Sequence, residues 1–366
     1  MNPAFETSSQ WKLIWRKFRS HKLALIALPS LLFLYLIAVF CDFIAPYSPE
    51  KRFVEYKLAP PQKIRFVDAE GKFHFRPFVY GYKMEINKET FRRTYAVDTS
   101  EKYPVRLFVR GEPHKLLGFV KTDLHLFGAG DGTAPIFLMG TDNLGRDLFT
   151  RILYGSRISL SFGIAGVALT LVLGVILGGV SGYFGGWIDT VIQRLIDLLI
   201  SIPTIPLWMA LAAALPRSWS TAQIYFGMIV IFSLIDWTGL ARVVRGKMLS
   251  LREEDFTLAA RLSGASHGRI IFRHLLPSFS SYIIVSVTMA IPAAILGETA
   301  LSFLGLGMQA PAVSWGVLLK DAQTLQTLAH HPWLLWPAAF VVLTVLLFNF
   351  LGDGLRDAAD PYKQSK

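Results

Sequence analysis

The sequence is short of cysteine, of charge and of any phosphate-binding loop. Cys41 is the only cysteine among 366 residues, so no disulfide can form within the chain. Phe40 is too bulky for the small residue expected before a lipidated cysteine, which leaves a buried, inert thiol as the reading of Cys41. Charged side chains are 17% of the total, against about 25% in soluble domains. No G-x-x-x-x-G-K-[ST] segment occurs, because Gly246-Lys247 lacks the upstream glycine. His74, His114 and His125 do not have metal-ligand spacing. A net charge of +11 comes without an aromatic-basic nucleic-acid module. No metal, cofactor or nucleic-acid partner is therefore expected.

What is present is long apolar sequence. A bilayer core of roughly 30 Å is crossed by ~20 apolar residues in a helix. Six stretches qualify: Leu23–Ile44, Ile158–Val180, Val191–Leu215, Ile224–Leu240, Ser280–Leu296 and Leu334–Leu351. The expected fold is an all-α membrane protein with six transmembrane helices in a lipid bilayer. The first run resembles a signal peptide in its basic flank, but it is too long for an h-region and no A-x-A site closes it. It is read as a retained span, residues 23–45.

Basic residues set the orientation. Residues 1–22 carry Lys12, Arg16, Lys17, Arg19 and Lys22 against Glu6. The loop after the fourth span carries Arg242, Arg245, Lys247, Arg252, Arg261, Arg269 and Arg273. Both are placed in the cytoplasm. Six crossings return the 353–366 tail, with Arg356 and Lys363, to the same side. Residues 46–155 then lie outside, between the first span and a five-helix core at 156–352.

The external segment opens on the turn formers Ala45-Pro46-Tyr47-Ser48-Pro49. Lys63–Val67 and Lys72–Phe75 read as a hairpin around 68–71, and Tyr103–Arg110 and Lys115–Lys121 as a second around Gly111-Glu-Pro-His114. A small strand-containing cap is expected. It either contacts a protein that delivers substrate or only braces the membrane helices.

Within the spans, Gly174, Gly178, Gly182 and Gly186 recur every four residues, a stripe suited to close helix packing. Pro203 and Pro206 disturb the third span. Carbonyls freed there are tolerated only against protein or a wet cavity. The bend either lines a path across the membrane or is a structural kink. Pro292 in the fifth span is open to the same two readings, and Ser286 is placed with these prolines on the candidate path. Asp197 and Asp236 are read near the cytoplasmic ends, paired with Arg194 and Arg242. Glu298 is placed where the fifth span reaches the outside.

The segment 241–277 is a polar loop between two apolar spans. Glu253, Glu254 and Asp255 precede a helix-forming run and complement its dipole. Phe256, Ala259, Ala260 and Ser263 fall on one face, an aromatic anchor among small residues suited to a groove. Gly264 is the stop. Ser266 caps a second short helix, and Pro277 begins the next span. The bland alternative is a solvated connector.

These residues resemble the cytoplasmic EAA-type motif of ABC importer permeases: Ala259-Ala260, Gly264, then Leu276-Pro277, with Leu258 where many members have Glu. Leu138-Met-Gly-Thr-Asp-Asn-Leu-Gly-Arg-Asp147 is similar to the GTDxxGRD segment of the same family. Ser181–Asp189, Ala241–Gly246, Gly297–Gly305 and Asn349–Pro361 also match. The chain resembles the C-type permease subunit of dipeptide/oligopeptide importers, and its long insert resembles the longer Yej-type branch. The resemblance implies a type I ABC importer fold and a non-catalytic role. It implies a second permease subunit, two ATP-binding ATPase domains and a periplasmic substrate-binding protein as partners. It assigns Glu254, Asp255, Phe256, Ala259, Ala260, Arg261, Gly264 and Pro277 to ATPase coupling. Gly140, Thr141, Asp142, Gly145, Arg146 and Asp147 become an ordered external turn. The competing readings are a self-contained secondary transporter or channel, which calls for inverted repeats and mid-membrane ionisable groups, and an intramembrane enzyme. No repeat is visible, and the His330-His331 pair lies at an outer edge.

Overall fold

The computed structural model describes residues 10–86, 88, 93–129, 135–216 and 218–359. It contains helices α1 (Gln10–Ser20), α2 (Lys22–Val39) and the short α3 (Cys41–Ile44), then strands β1 (Arg65–Val67), β2 (Phe73–Ile86), β3 (Arg93–Leu116) and β4 (Val120–Ala129). Helices α4 (Leu148–Phe184), α5 (Gly186–Ser201), α6 (Thr204–Ala213), α7 (Thr221–Leu251) and α8 (Asp255–Leu262) follow. After them come α9 (His267–Arg269), a π-helical turn (Ile270–Leu275), α10 (Leu276–Ser278), α11 (Ser280–Phe303), α12 (Trp315–Lys320), α13 (Leu325–His330) and α14 (Trp336–Ala359). The chain divides into two compact units. One holds Met1–Leu32, Ser161–Leu301 and Val342–Lys366; the other holds Phe33–Leu160 and Ser302–Val341.

Among the described residues, five helices are long and apolar enough to cross a membrane, and α5 with α6 forms a sixth candidate bent by 88°. The third expected span is thus not one straight helix. Ile202 precedes Pro203 and takes the extended conformation (φ −92°, ψ 130°), which ends α5. Pro203 becomes the residue before α6, and Pro206 sits in its first turn, where a missing N–H costs little. The fifth span is longer than expected. α11 runs on to Phe303, and Glu298 lies buried in its last turns.

In the first unit the glycine stripe packs against α7. A Cβ on Gly174 would stand 2.9 Å from Leu240, and one on Gly178 or Gly182 would collide with the carbonyl of Ala241 or Arg245. Gly186 does not join that face. It follows the end of α4 with φ +58° and has open space around it. A capping box starts α7: Gln223 N–H donates to Ser220 Oγ (3.4 Å), and Ser220 N–H to Gln223 Oε1 (2.8 Å). Phe18, Ala24 and Ala358 form a small buried cluster that joins α1, α2 and α14.

In the second unit the four strands form an antiparallel sheet in sequence order. Val67 pairs with Phe73, so the first expected hairpin forms. The second hairpin turns elsewhere. β3 is continuous through Gly111–His114, where its register with β4 shifts, and Leu116 pairs with Val120 around Leu117-Gly118-Phe119. Gly111 serves close packing instead: a Cβ there would lie 2.6 Å from the His125 ring. Cys41 is buried at the end of the first span, with Ala45 and Leu153.

Candidate functional site

Helix α8 follows α7 after only three residues and stands on a firm base. Thr257 is fully buried, and its Oγ1 donates to the Leu251 carbonyl at 2.8 Å. Ala260 turns inward onto a core of Tyr183, Val244, Met248, Ile270, Leu275 and Phe279. Arg252 donates from one Nη to the carbonyls of Gly182 (3.3 Å) and Tyr183 (3.5 Å), closing the carbonyl end of α4. Arg245 grips Asp189 with two bonds of 2.5 and 2.6 Å. Arg261 lies 5.9 Å over the Tyr183 ring, whose hydroxyl hydrogen-bonds with His267 Nδ1 at 2.8 Å.

Gly264 has φ +76°, and Ala265 N–H returns to the Ala260 carbonyl at 3.1 Å. This left-handed stop is available to glycine at no steric cost. Ser266 caps the next turn by accepting from Arg269 N–H at 3.4 Å. Pro277 lies in α10, and Phe279 (φ −123°, ψ 19°) separates it from α11. Pro277 therefore does not open the span itself.

The outward face of α8 differs from the expected one. Phe256 is 43% exposed, Leu258 is also exposed, and Leu262 is 90% exposed. Ala259 and Ser263 lie on this side, while Ala260 lies beneath. Counting from Phe256 by threes and fours finds Ala259 and Ser263 but not the neighbouring row Leu258–Leu262. The inward row is anchored by Thr257, a residue that apolar periodicity passes over. Glu253, Glu254 and Asp255 are exposed at the helix start, and Glu254 makes no side-chain cap.

The 140–147 turn folds on itself. Asp142 Oδ1 accepts the N–H groups of Leu144 (2.8 Å) and Arg146 (2.9 Å), and its Oδ2 accepts Arg146 Nε at 2.6 Å. Arg151, buried, pairs with the same Oδ2 at 3.2 Å. Thr141 Oγ1 accepts from Ala59 N–H at 2.8 Å and donates to the Tyr56 carbonyl. Trp333 Nε1 donates to the Thr141 carbonyl at 3.1 Å. Gly140 and Gly145 both have φ +78°, and a Cβ on Gly145 would overlap the Phe53 carbonyl. These side chains are spent on holding backbone from three parts of the second unit.

Asp147 Oδ2 accepts Thr150 N–H at 2.8 Å and caps α4. Burial pushes its carboxyl up to about 7, with hydrogen bonds from Thr150 opposing and the Asp142 charge adding to the rise. An unfolded aspartate titrates near ~3.9. Between those values the folded chain holds a proton that the unfolded chain has lost, so this group's contribution to stability falls as pH rises from about 4 to 7. Asp147→Asn keeps the cap acceptor without the charge. Relative to the parent, its thermal unfolding midpoint should be higher at pH 8 than at pH 5. An equal offset at both values would remove the assignment.

The proline-marked region surrounds a cavity of about 470 Å³ in the first unit. Ser286 lines it, as does Thr204 between the two prolines. Pro203 and Pro206 shape the bend without lining it, and Pro292 is buried inside α11. Asp197 pairs with Arg242 at 2.6 Å as an exposed pair. Asp236, expected to pair with a neighbouring arginine, instead lines the cavity midway along α7, while Arg242 is taken by Asp197.

Residues 171–364 match the family described as the binding-protein-dependent transport system inner membrane component. Residues 9–61 match the N-terminal transmembrane domain of oligopeptide transport permease C. Over 227 residues the chain is 44% identical to the dipeptide transport system permease protein of Alkalihalophilus pseudofirmus, covering 62% of this chain and 72% of that one. It is 40% identical over 223 residues to the oligopeptide transport system permease protein of Bacillus subtilis, covering 61% and 70%. It is 45% identical over 224 residues to the dipeptide transport system permease protein of the same organism, covering 61% and 68%.

Proposed function

Because this chain belongs to the family of binding-protein-dependent transport system inner membrane components, we propose that it is the permease subunit through which peptides or peptide-like compounds cross the inner membrane. It is a multi-pass membrane component of a transport system. Its named relatives are dipeptide and oligopeptide permeases, which supports peptides as the cargo class. The longer Yej-type placement rests on the insert motifs alone.

The observation that carries the mechanism is α8: an apolar, exposed face on a short helix rigidly based between membrane helices. The sequence has no phosphate loop of the G-x-x-x-x-G-K-[ST] kind. ATP hydrolysis is therefore assigned to separate subunits, and the chain itself is read as non-catalytic. Two ATPase domains, a second permease and a periplasmic binding protein complete the assembly. Phe256, Leu258 and Leu262 seat in a groove of one ATPase. Glu254 and Asp255 face its rim, while Ala259 lets the surfaces approach. Ala260, Arg261, Gly264 and Pro277 hold the helix at its angle. Closure of the ATPases pushes α8, and the spans rock between outward- and inward-facing arrangements. Both termini are placed in the cytoplasm. Gly140, Thr141, Asp142, Gly145, Arg146 and Asp147 act as an external brace.

Purified alone, the chain should show no ATP hydrolysis. Expressed with its partner subunits, it should co-purify with ATPases whose activity rises with binding protein and peptide. ATP-independent peptide flux by the isolated chain in liposomes would favour a secondary transporter instead.

A further inference from the structure

Among the described residues, Asp236 is the sole charged side chain lining the cavity, whose other polar contributors include Thr170, Thr204, Thr238 and Ser286. Among the described residues it has no hydrogen bond or ion pair. A carboxylate facing apolar walls loses hydration, and a cation bound beside it offsets that loss. Trp208 lines the same cavity and stacks on Phe232, centroids 4.2 Å apart. Its indole N–H is buried and lacks a hydrogen-bond partner among the described residues. Phe232 and Asp236 are four residues apart on α7 and so lie on one face, about 5–6 Å apart at Cβ. The cavity thus sets one carboxylate about one helical turn from a stacked aromatic pair.

We infer that Asp236 binds the cationic α-ammonium group of the peptide cargo in this cavity. The assignment rests on the peptide reading above. Peptides of different sequence share only their backbone and their termini. A site that passes many of them can place charge only against a shared group and must leave uniform space for the rest. One carboxylate among mostly apolar walls meets that requirement. A volume near 470 Å³ suits a few residues of peptide.

The test uses the complete transporter in proteoliposomes and compares trialanine with N-acetyl-trialanine. The parent should favour the free amine. Asp236→Asn should raise KM for trialanine by about tenfold and leave the acetylated peptide unchanged, which collapses the preference. Asp236→Glu should retain the preference. If the asparagine variant does not assemble, Asp236→Ser is read in the same way. An unchanged trialanine to acetyl-trialanine ratio in the neutral variant overturns the assignment and leaves the peptide reading standing. Equal losses for both peptides also overturn it, since they mark a structural role. Transport of neither peptide by the parent sinks both readings.

Discussion

Replacing Phe256 with aspartate should abolish ATP-driven uptake while leaving the chain folded in the membrane. Phe256 is on the outward face of α8, and Thr257 and Ala260 hold the helix from below. A change on the outward face away from those anchors should alter stability by no more than about 0.5 kcal/mol. At an interface the same residue is a buried aromatic anchor. Losses at such anchors run about 2–4 kcal/mol, on the order of 30- to 1,000-fold in coupling. A charge brought into the groove adds desolvation to the lost contact. Phe256→Leu keeps an apolar plug and should retain most activity. The measurement is peptide uptake alongside co-purification with the ATPases. Full transport by the aspartate variant would disprove the coupling role. Loss of transport with normal expression and lost co-purification would support it.

Asp142→Ala should have the largest effect on stability. Asp142 is 1% exposed and Arg151 is 2% exposed. Removing the carboxylate leaves the Arg151 guanidinium buried without its ion pair and frees the N–H groups of Leu144 and Arg146. Stranding one partner of a buried pair costs about 3–5 kcal/mol. The predicted result is low yield in the membrane and a markedly lower unfolding midpoint. Asp142→Asn, which can still accept from the two backbone groups, should fall between it and the parent. A midpoint within a degree or two of the parent for the alanine variant would show that the turn is not a structural knot. Direct contact with cargo is not needed to explain why this turn uses these residue types.

Features governed by short-range rules were legible in the sequence. Long apolar runs gave the spans, because lipid demands a continuous apolar surface. Gly174, Gly178 and Gly182 announced a close helix contact, though not its partner. Pro203 announced a break, but its 88° angle depends on what α6 packs against. Other features depended on distant contacts. Gly-Glu-Pro-His114 is richer in turn formers than Leu117-Gly-Phe119, yet the chain turns at the latter. The close His125 ring claims Gly111, and β3 pairs on both sides of this segment, with β2 over its first half and β4 over its second, so the strand continues past it through a register shift. On α8 the sequence period was right and the phase was incomplete. Thr257 packs inward because its hydroxyl has a carbonyl to bond, so Leu258 and Leu262 are left facing water. The cavity contact of Asp236 was hidden because an apolar run does not show which side chains line a space between helices.

The glycine contacts between α4 and α7 have a mechanical consequence. Backbones that approach closely at Gly178 and Gly182, with the Leu240 side chain packed on Gly174 one turn away, leave little compressible side chain between them, so the pair behaves as a beam. From Leu251 to Asp236 is 251 − 236 = 15 residues, a lever arm of about 22 Å at 1.5 Å per residue. A 5° tilt at the α8 end would carry Asp236 sideways by about 2 Å, enough to break a hydrogen bond. A force applied at Phe256 would then reach the cargo through stiffness, with no relay of side-chain rearrangements between them.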